Sequence, residues 1–171
     1  MATTTQATVK LEEYLHTSYK PDCDYVDGEV QERNVGEKDH AEVQIALGHW
    51  LRSHDKEWNT RSYTELRMQV TPTRFRVVDA CVFPRSELIE QVPTRPPLVV
   101  IEILSPEDRI SRYEQRIDDY RNMGVRHIWI VDPQTRRGFD CSTGSWIETQ
   151  SFKIESSPIG FDLSVIFAEL D

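Results

Sequence analysis

Two apolar segments of the chain each contain a single carboxylate. Asp79 interrupts the run VVDACVF, and Glu102 interrupts the run VVIEILSP. Burying an ionised carboxylate is costly unless a cation or strong hydrogen-bond donors compensate for it. Two acids from neighbouring strands would form an oxygen-rich site for Mg²⁺ or Mn²⁺, whereas an arginine beside each acid would make a structural ion pair. The spacing alone leaves these two interpretations equally open.

Three further side chains could take part in chemistry near these acids. Arg112 and Arg116 are four residues apart and would share one face of a helix. They could clamp a phosphate near Glu102, or they could form a solvated face that pairs with acids such as Asp119. Helical charge runs favour the second interpretation. His40 opens another helix, where a histidine is more often a surface or capping residue than a ligand.

The elements that must position these residues follow from the apolar spacing. A strand at 98–104, a helix from about 110 to 123 and a second strand at 127–131 form a βαβ unit with parallel strands. An Asp-Gly turn at 27–28 predicts a hairpin before this unit, and Thr-Gly at 143–144 predicts one after it. The fold class is therefore α/β (α+β mixed sheet), with a central mixed β-sheet and helices.

The composition limits the class of protein. The chain has 171 residues, 38% hydrophobic and 29% charged, which fits a single globular domain over 1–171 with a flexible tail at 1–7. No apolar run approaches the roughly 20 residues that span a bilayer, and the start lacks a signal-peptide core. We therefore expect a cytoplasmic protein with no membrane partner. Three widely spaced cysteines argue against a disulfide framework and against a Cys-rich zinc site.

The net charge of −9 bears on nucleic acid as a partner. Proteins that bind nucleic acid passively usually show a basic surface, because neutralising phosphates supplies most of the non-specific affinity. For this chain to bind nucleic acid, a local basic patch or bound cations would have to overcome the negative net charge. The charge therefore weakens the case for a nucleic-acid partner without excluding it.

Several segments in series resemble one known family. They are YVDGEV, a helix that begins with His40, VVDACVF, PPLVVIEILSP and a helix that leads into DDYRNMGVRHIWIVDP. In this order they resemble the Uma-two family of endonucleases, in the PD-(D/E)XK restriction-endonuclease-like superfamily. The resemblance extends from about residue 8 to 170 and is most specific at 98–133. It implies a restriction-endonuclease-like core with a four- or five-stranded mixed sheet, a DNA substrate and divalent-metal hydrolysis of phosphodiester bonds.

The resemblance also assigns roles to individual residues. It makes Asp79 and Glu102 the metal-binding acids, with the main-chain carbonyl of Ile103 as a further ligand for Mg²⁺ or Mn²⁺. Glu29 matches an acid that many relatives place near the site from the first hairpin, and His40 matches a histidine that could face the metal. A cation held in this way would polarise the phosphate and lower the pKa of the attacking water.

The chain departs from the pattern at one position that matters for catalysis. Leu104 replaces the lysine that would complete the E-x-K element. Relatives without that lysine offer one from the following helix, where this chain has Arg116, with Arg112 one turn earlier. Arginine can stabilise a pentavalent phosphate, but it cannot act as a base at neutral pH. Arg116 is therefore the catalytic candidate from the helix, with Arg112 in support.

Three functions remain open from the sequence. The first is a Mg²⁺-dependent endonuclease that acts on DNA, and its alternative is a catalytically impaired nuclease-like domain that binds nucleic acid or protein. A hydrolase of small phosphoesters would suit the acidic charge, but no substrate motif supports it. We also expect a homodimer, because homo-oligomers are usually twofold.

Overall fold

The computed structural model describes residues 8–34, 36–106 and 110–170. The flexible tail expected at 1–7 lies outside the described residues. No described helix is long and apolar enough to cross a membrane. In chain order the elements are α1 (Leu11–His16), β1 (Cys23–Val26), β2 (Glu29–Glu32), α2 (Lys38–His54), β3 (Thr60–Thr71), β4 (Arg74–Pro84), β5 (Val99–Ile103), α3 (Ile110–Met123), β6 (His127–Asp132), β7 (Arg137–Asp140), β8 (Ile147–Thr149), β9 (Ser151–Lys153), β10 (Gly160–Asp162) and α4 (Leu163–Ala168).

A mixed sheet of eight strands forms the centre of the described structure. Its order is β2-β1-β4-β5-β6-β7-β8, and β3 pairs with β4. The sheet is larger than the four or five strands that the resemblance implied, because both hairpins extend it at its ends. Strands β9 and β10 form a separate pair that the sequence analysis missed. Each has three residues, which is too short for alternation to be recognised.

The predicted βαβ unit is confirmed. β5 and β6 pair in parallel, and α3 connects them with the predicted bounds. Gly124 ends this helix with φ +102°, a left-handed conformation that glycine adopts without a Cβ clash. The first hairpin is also confirmed, since Asp27 and Gly28 both have positive φ, as a two-residue type I′ turn requires.

Helices cover both faces of β5, which explains why its sequence is almost entirely apolar. Val99, Ile101 and Ile103 pack into a hydrophobic cluster with residues of α2 and α4. Val100 packs into a second cluster that contains Tyr120 of α3. Because side chains alternate along a strand, Glu102 shares the face of Val100 and points towards α3. The carboxylate therefore lies in the protein interior.

One edge of β4 is shared by two strands, and this arrangement creates a gap in the sheet. β3 pairs with β4 along nearly its whole length. On the opposite edge, β1 pairs at Arg74 and Phe75, whereas β5 pairs at 80–82. Between these pairings lies a gap at residues 76–79 of β4, which we call the fork. The polar side chains described below gather there.

Candidate active site

Asp79 and Glu102 lie where β4 and β5 separate at the fork. Ala80 pairs with Ile101, so the next residues along the two strands are Asp79 and Glu102. Both acids are 1% exposed, and both line a cavity of about 40 Å³. A single water needs roughly 10–15 Å³ of such space, so the cavity suits a few waters or an ion rather than a nucleotide. The structure therefore brings the two predicted acids together.

Asp79 is surrounded by donors from three parts of the chain. Arg33, which directly follows β2, donates to its Oδ1. The main-chain amide of Ile103 donates to Oδ2 at 2.7 Å, and Nε2 of His40 lies 3.5 Å from the same oxygen. Burial alone would raise the pKa of Asp79, but His40 and Arg33 outweigh burial and hold the pKa below its usual range. Asp79 is therefore held as a carboxylate.

His40, which the resemblance matches to a histidine that could face the metal, lies against Asp79. It is nearly buried, in the first turn of α2. Burial by itself lowers the pKa of a histidine, but the hydrogen bond and the negative charge of Asp79 outweigh burial, and the pKa of His40 is raised. The pair thus stabilises both the carboxylate and the protonated imidazole.

Glu102 receives its hydrogen bonds from α3. Arg116 Nη2 donates to Oε1 at 2.8 Å, and the Tyr120 hydroxyl donates to the same oxygen. Both bonds end on Oε1, so Oε2 carries neither of them. Burial raises the pKa of Glu102 to about 7, with Arg116 opposing the rise and Asp79 adding to it. The two carboxylates therefore influence each other's charge.

Arg116 fills the fork in place of a paired strand. Its Nη1 lies 2.5 Å from Asp24 Oδ2, and its Nη2 donates to the carbonyl of Val77 at 2.7 Å. The Val77 amide in turn donates to Asp24 Oδ1 at 2.9 Å. These side chains satisfy main-chain groups of β4 that have no neighbouring strand. Arg116 thus contacts Glu102, but other partners within the protein also hold both of its terminal nitrogens.

Asp24 is an acid of the first hairpin that the sequence analysis did not select. It is buried in β1 and lines the cavity, and Arg76 also donates to it at 3.0 Å. Glu29, which the resemblance selected, is exposed in β2 and is not among the cavity-lining residues. The available signal was the position of Asp24 between Cys23 and Tyr25 in a short buried strand.

Glu65 is a second residue that the sequence did not reveal. Its neighbours in β3 pair with Ala80 and Val78, so Glu65 lies opposite Asp79 across the ladder. Its φ of +51° is left-handed, which costs a non-glycine residue about 1 kcal/mol or more. The carboxylate accepts hydrogen bonds from Arg33 and from Gln44 of α2. Nothing in the local sequence indicates this conformation.

Arg112 lies at the mouth of the cavity. It is exposed, it lines the cavity, and its Nη2 donates to the carbonyl of Glu32 at 2.7 Å. Its guanidinium is therefore held near the end of β2 and remains accessible to solvent. Of the two arginines predicted on α3, only Arg116 reaches Glu102.

The oxygen donors of the site suit a hard divalent cation. Asp79 and Glu102 supply carboxylates, and the Ile103 carbonyl, which accepts a hydrogen bond from Tyr113 at 3.1 Å, is a neutral donor. Within 8–34, 36–106 and 110–170, no group of three or more His, Cys, Asp or Glu side chains could hold a metal. Mg²⁺ commonly uses one or two carboxylates and keeps several waters. These donors therefore fit Mg²⁺ if Arg33 gives up its hydrogen bond to Oδ1 of Asp79.

Comparisons with known proteins identify a family and a fold for this chain. The family model Uma2, described as "Putative restriction endonuclease", matches residues 11–157. Among solved structures, the chain is similar to a "putative nuclease belonging to DUF820" from Anabaena variabilis ATCC 29413, with a TM-score of 0.82 and 21% identity. The match covers 95% of this chain and 99% of that one. A search of curated proteins found no match. The structural similarity confirms the predicted fold class, a mixed α/β fold with a restriction-endonuclease-like core.

Proposed function

Because the chain belongs to the Uma2 family, we propose that it is a divalent-metal-dependent endonuclease that hydrolyses phosphodiester bonds of DNA. The family description supports a nuclease. One observation carries the proposal: Asp79 and Glu102 are both buried and face the same ion-sized cavity. Strongly perturbed acids that share a cavity are typical of functional sites, and a binding module would have little reason to keep them together.

Each residue of the site has a role in this proposal. Asp79, Glu102 and the Ile103 carbonyl would hold Mg²⁺ or Mn²⁺, which when bound polarises a phosphate and lowers the pKa of the attacking water. His40 orients Asp79 through the contact with Oδ2. Arg116 fixes Oε1 of Glu102 from α3. This leaves the other oxygen of Glu102 to meet the cation.

The remaining predicted residues would act at the rim of the cavity. Arg112 is exposed at the mouth, where a guanidinium can meet the DNA backbone. Glu29 is exposed in β2, so any support that it gives would come from outside the cavity. The positive charge of Arg112 would offset the net charge of −9 at the place where DNA binds.

A nuclease-like domain that binds without cleaving is the second candidate. The observation that favours it is that each buried acid has an arginine partner, Arg33 on Asp79 and Arg116 on Glu102. Leu104, which replaces the E-x-K lysine, packs against the hydrophobic cluster below α3. If neither arginine can be displaced, the carboxylates are part of a structural ion network.

Cleavage assays with divalent cations separate the two candidates. We expect the wild type to cleave plasmid or single-stranded DNA with Mg²⁺ or Mn²⁺, and Asp79→Ala to have lost this activity. Asp162→Ala is the matched control, because this exposed acid lies 4.0 Å from Lys153 and away from the fork. Equal cleavage by the wild type and Asp79→Ala, or none by either across several metals, would contradict the endonuclease.

Assembly and location are further parts of the proposal. We expect a homodimer in the cytoplasm, since twofold pairing is the commonest form of homo-oligomer. Light scattering on the purified protein would measure the mass of the assembly against the 20.0 kDa chain. A monomer at all concentrations would contradict the dimer and leave the proposed chemistry unaffected.

A further inference from the structure

Arginines that line the cavity differ in what holds them. Arg76 and Arg116 are almost fully buried, and each is bound by at least two buried carboxylates. Arg33 is different, because one of its two acidic partners is the buried Asp79 and the other is Glu65, whose side chain is 40% exposed. Arg33 is therefore the arginine that joins the buried acids to the open side of the site.

We propose that Arg33 binds the phosphate group of the DNA, and that a divalent cation frees it by taking its place on Asp79. The inference rests on the proposed function, since Asp79 is one of the proposed metal ligands. A guanidinium and a metal ion cannot occupy the same side of Oδ1, so the two exclude each other there. A planar guanidinium can donate two parallel hydrogen bonds to a phosphate, as it does to a carboxylate.

Glu65 keeps Arg33 at the site after the exchange. Nη1 of Arg33 is bound to Glu65, and Nη2 is bound to Asp79, so one half of the guanidinium can leave its partner while the other half remains held. Gln44 donates both to Glu65 and to the carbonyl of Asp79, which fixes the position of Glu65 relative to β4. Glu65 is therefore a positioning residue, and it acts through Arg33.

The exchange couples the binding of metal to the binding of DNA. If Arg33 left without a replacement, Asp79 would stay buried with His40 and the Ile103 amide as its donors, which is costly for a carboxylate. A cation on Asp79 removes this cost. The cavity of about 40 Å³ has room for only a few waters, so a phosphodiester at the acids needs more space than the cavity offers. Arg33 is the side chain whose movement would admit the phosphate and bind it.

Two binding measurements test the proposal without relying on cleavage. The first is Mn²⁺ affinity, and the second is the affinity of a short DNA duplex in Ca²⁺, with a gel to confirm that the duplex stays intact. We expect Arg33→Ala to bind Mn²⁺ roughly tenfold more tightly, because the competitor for Asp79 is gone. We expect its DNA affinity to fall roughly tenfold. The slope of log affinity against log salt concentration should fall by about one, as expected for one lost phosphate contact.

Two further variants make these results specific. Arg33→Lys should retain part of the DNA affinity, because lysine keeps the charge but loses the paired donors. Arg137→Ala should behave as the wild type, since Arg137 is an exposed residue of β7 that lies 3.6 Å from Glu148. Thermal unfolding of every variant shows whether a change in affinity comes from loss of structure.

The outcomes separate this inference from the proposed function. Weaker Mn²⁺ binding by Arg33→Ala, with a lower melting temperature and unchanged DNA affinity, would show a structural role and overturn the inference. Wild-type cleavage that Asp79→Ala loses and Arg33→Ala keeps would overturn the inference alone. A wild type that cleaves nothing, with both affinities shifted as expected in Arg33→Ala, would support the phosphate contact and overturn the endonuclease. A wild type that binds neither Mn²⁺ nor DNA would overturn both.

Discussion

Two buried carboxylates at the fork each pair with an arginine, but in different surroundings, and we call the pair that contains Arg116 the inner end and the pair that contains Arg33 the outer end. At the inner end, Arg116 binds Glu102 and Asp24 and is 8% exposed. At the outer end, Arg33 binds Asp79 and the partly exposed Glu65. The inner arginine is enclosed by partners inside the protein, whereas the outer one reaches the cavity mouth.

The difference indicates that an arginine paired with a buried acid can either stabilise the fold or take part in binding. The inner pair satisfies main-chain groups of Val77 that no strand covers, so it holds β1, β4 and β5 together. In the outer pair the Ile103 amide donates to Asp79, whereas Arg33 donates to the side chains of Asp79 and Glu65. We therefore expect substitutions at the inner end to change the stability of the fold, and substitutions at the outer end to change binding and cleavage.

The largest expected effect is that of Arg116→Met. It leaves Asp24 and Glu102 buried without their shared cation, which typically costs about 3–5 kcal/mol of unfolding free energy. Arg33→Met is the matched variant at the outer end, and its cost should be smaller, about 1–3 kcal/mol, because it leaves one buried acid instead of two and Asp79 keeps the Ile103 amide and His40 as donors. Urea unfolding followed by circular dichroism measures both. Equal losses for the two variants would contradict the distinction between the two ends.

The next effect compares two acids of the first hairpin, Asp24 and Glu29. Asp24→Asn weakens charged hydrogen bonds to Arg76, to Arg116 and to the amide of Val77, and it should cost roughly 1.5–3 kcal/mol. Glu29→Gln changes an exposed residue and should stay within about 0.5 kcal/mol. The same urea titrations give both values. A larger loss for Glu29→Gln would show that the acid chosen by the resemblance supports the inner end after all.

Features that depend on local pattern could be predicted from the sequence. The alternation in β5 puts Glu102 on the same face as Val100, and a glycine at 124 is a suitable end for α3. The lone acids in two apolar strands pointed to Asp79 and Glu102. These signals need only a few neighbouring residues, because strand and helix periods are short.

Features that depend on distant pairing could not be predicted. Asp24 reaches Arg116 across 92 positions of sequence, and the contact requires β1 and β5 to share one edge of β4. Arg33 meets Asp79 only because the first hairpin packs beside the fork. The resemblance selected Arg116 because it stands where relatives have a lysine, with Arg112 one turn earlier in support, and no local pattern set Arg33 apart from other arginines.

The smallest expected effect tests whether backbone strain belongs to the outer end. Glu65→Ala and Glu65→Gly both remove the carboxylate that holds Arg33, but only glycine adopts φ +51° without a steric penalty. We therefore expect Glu65→Gly to be more stable than Glu65→Ala by about 1 kcal/mol, with equal losses of DNA affinity. Urea unfolding and the duplex-binding assay measure the two quantities. Equal stability would show that the left-handed φ of Glu65 carries no strain, whereas unequal DNA affinity would show that the backbone of β3 also positions Arg33.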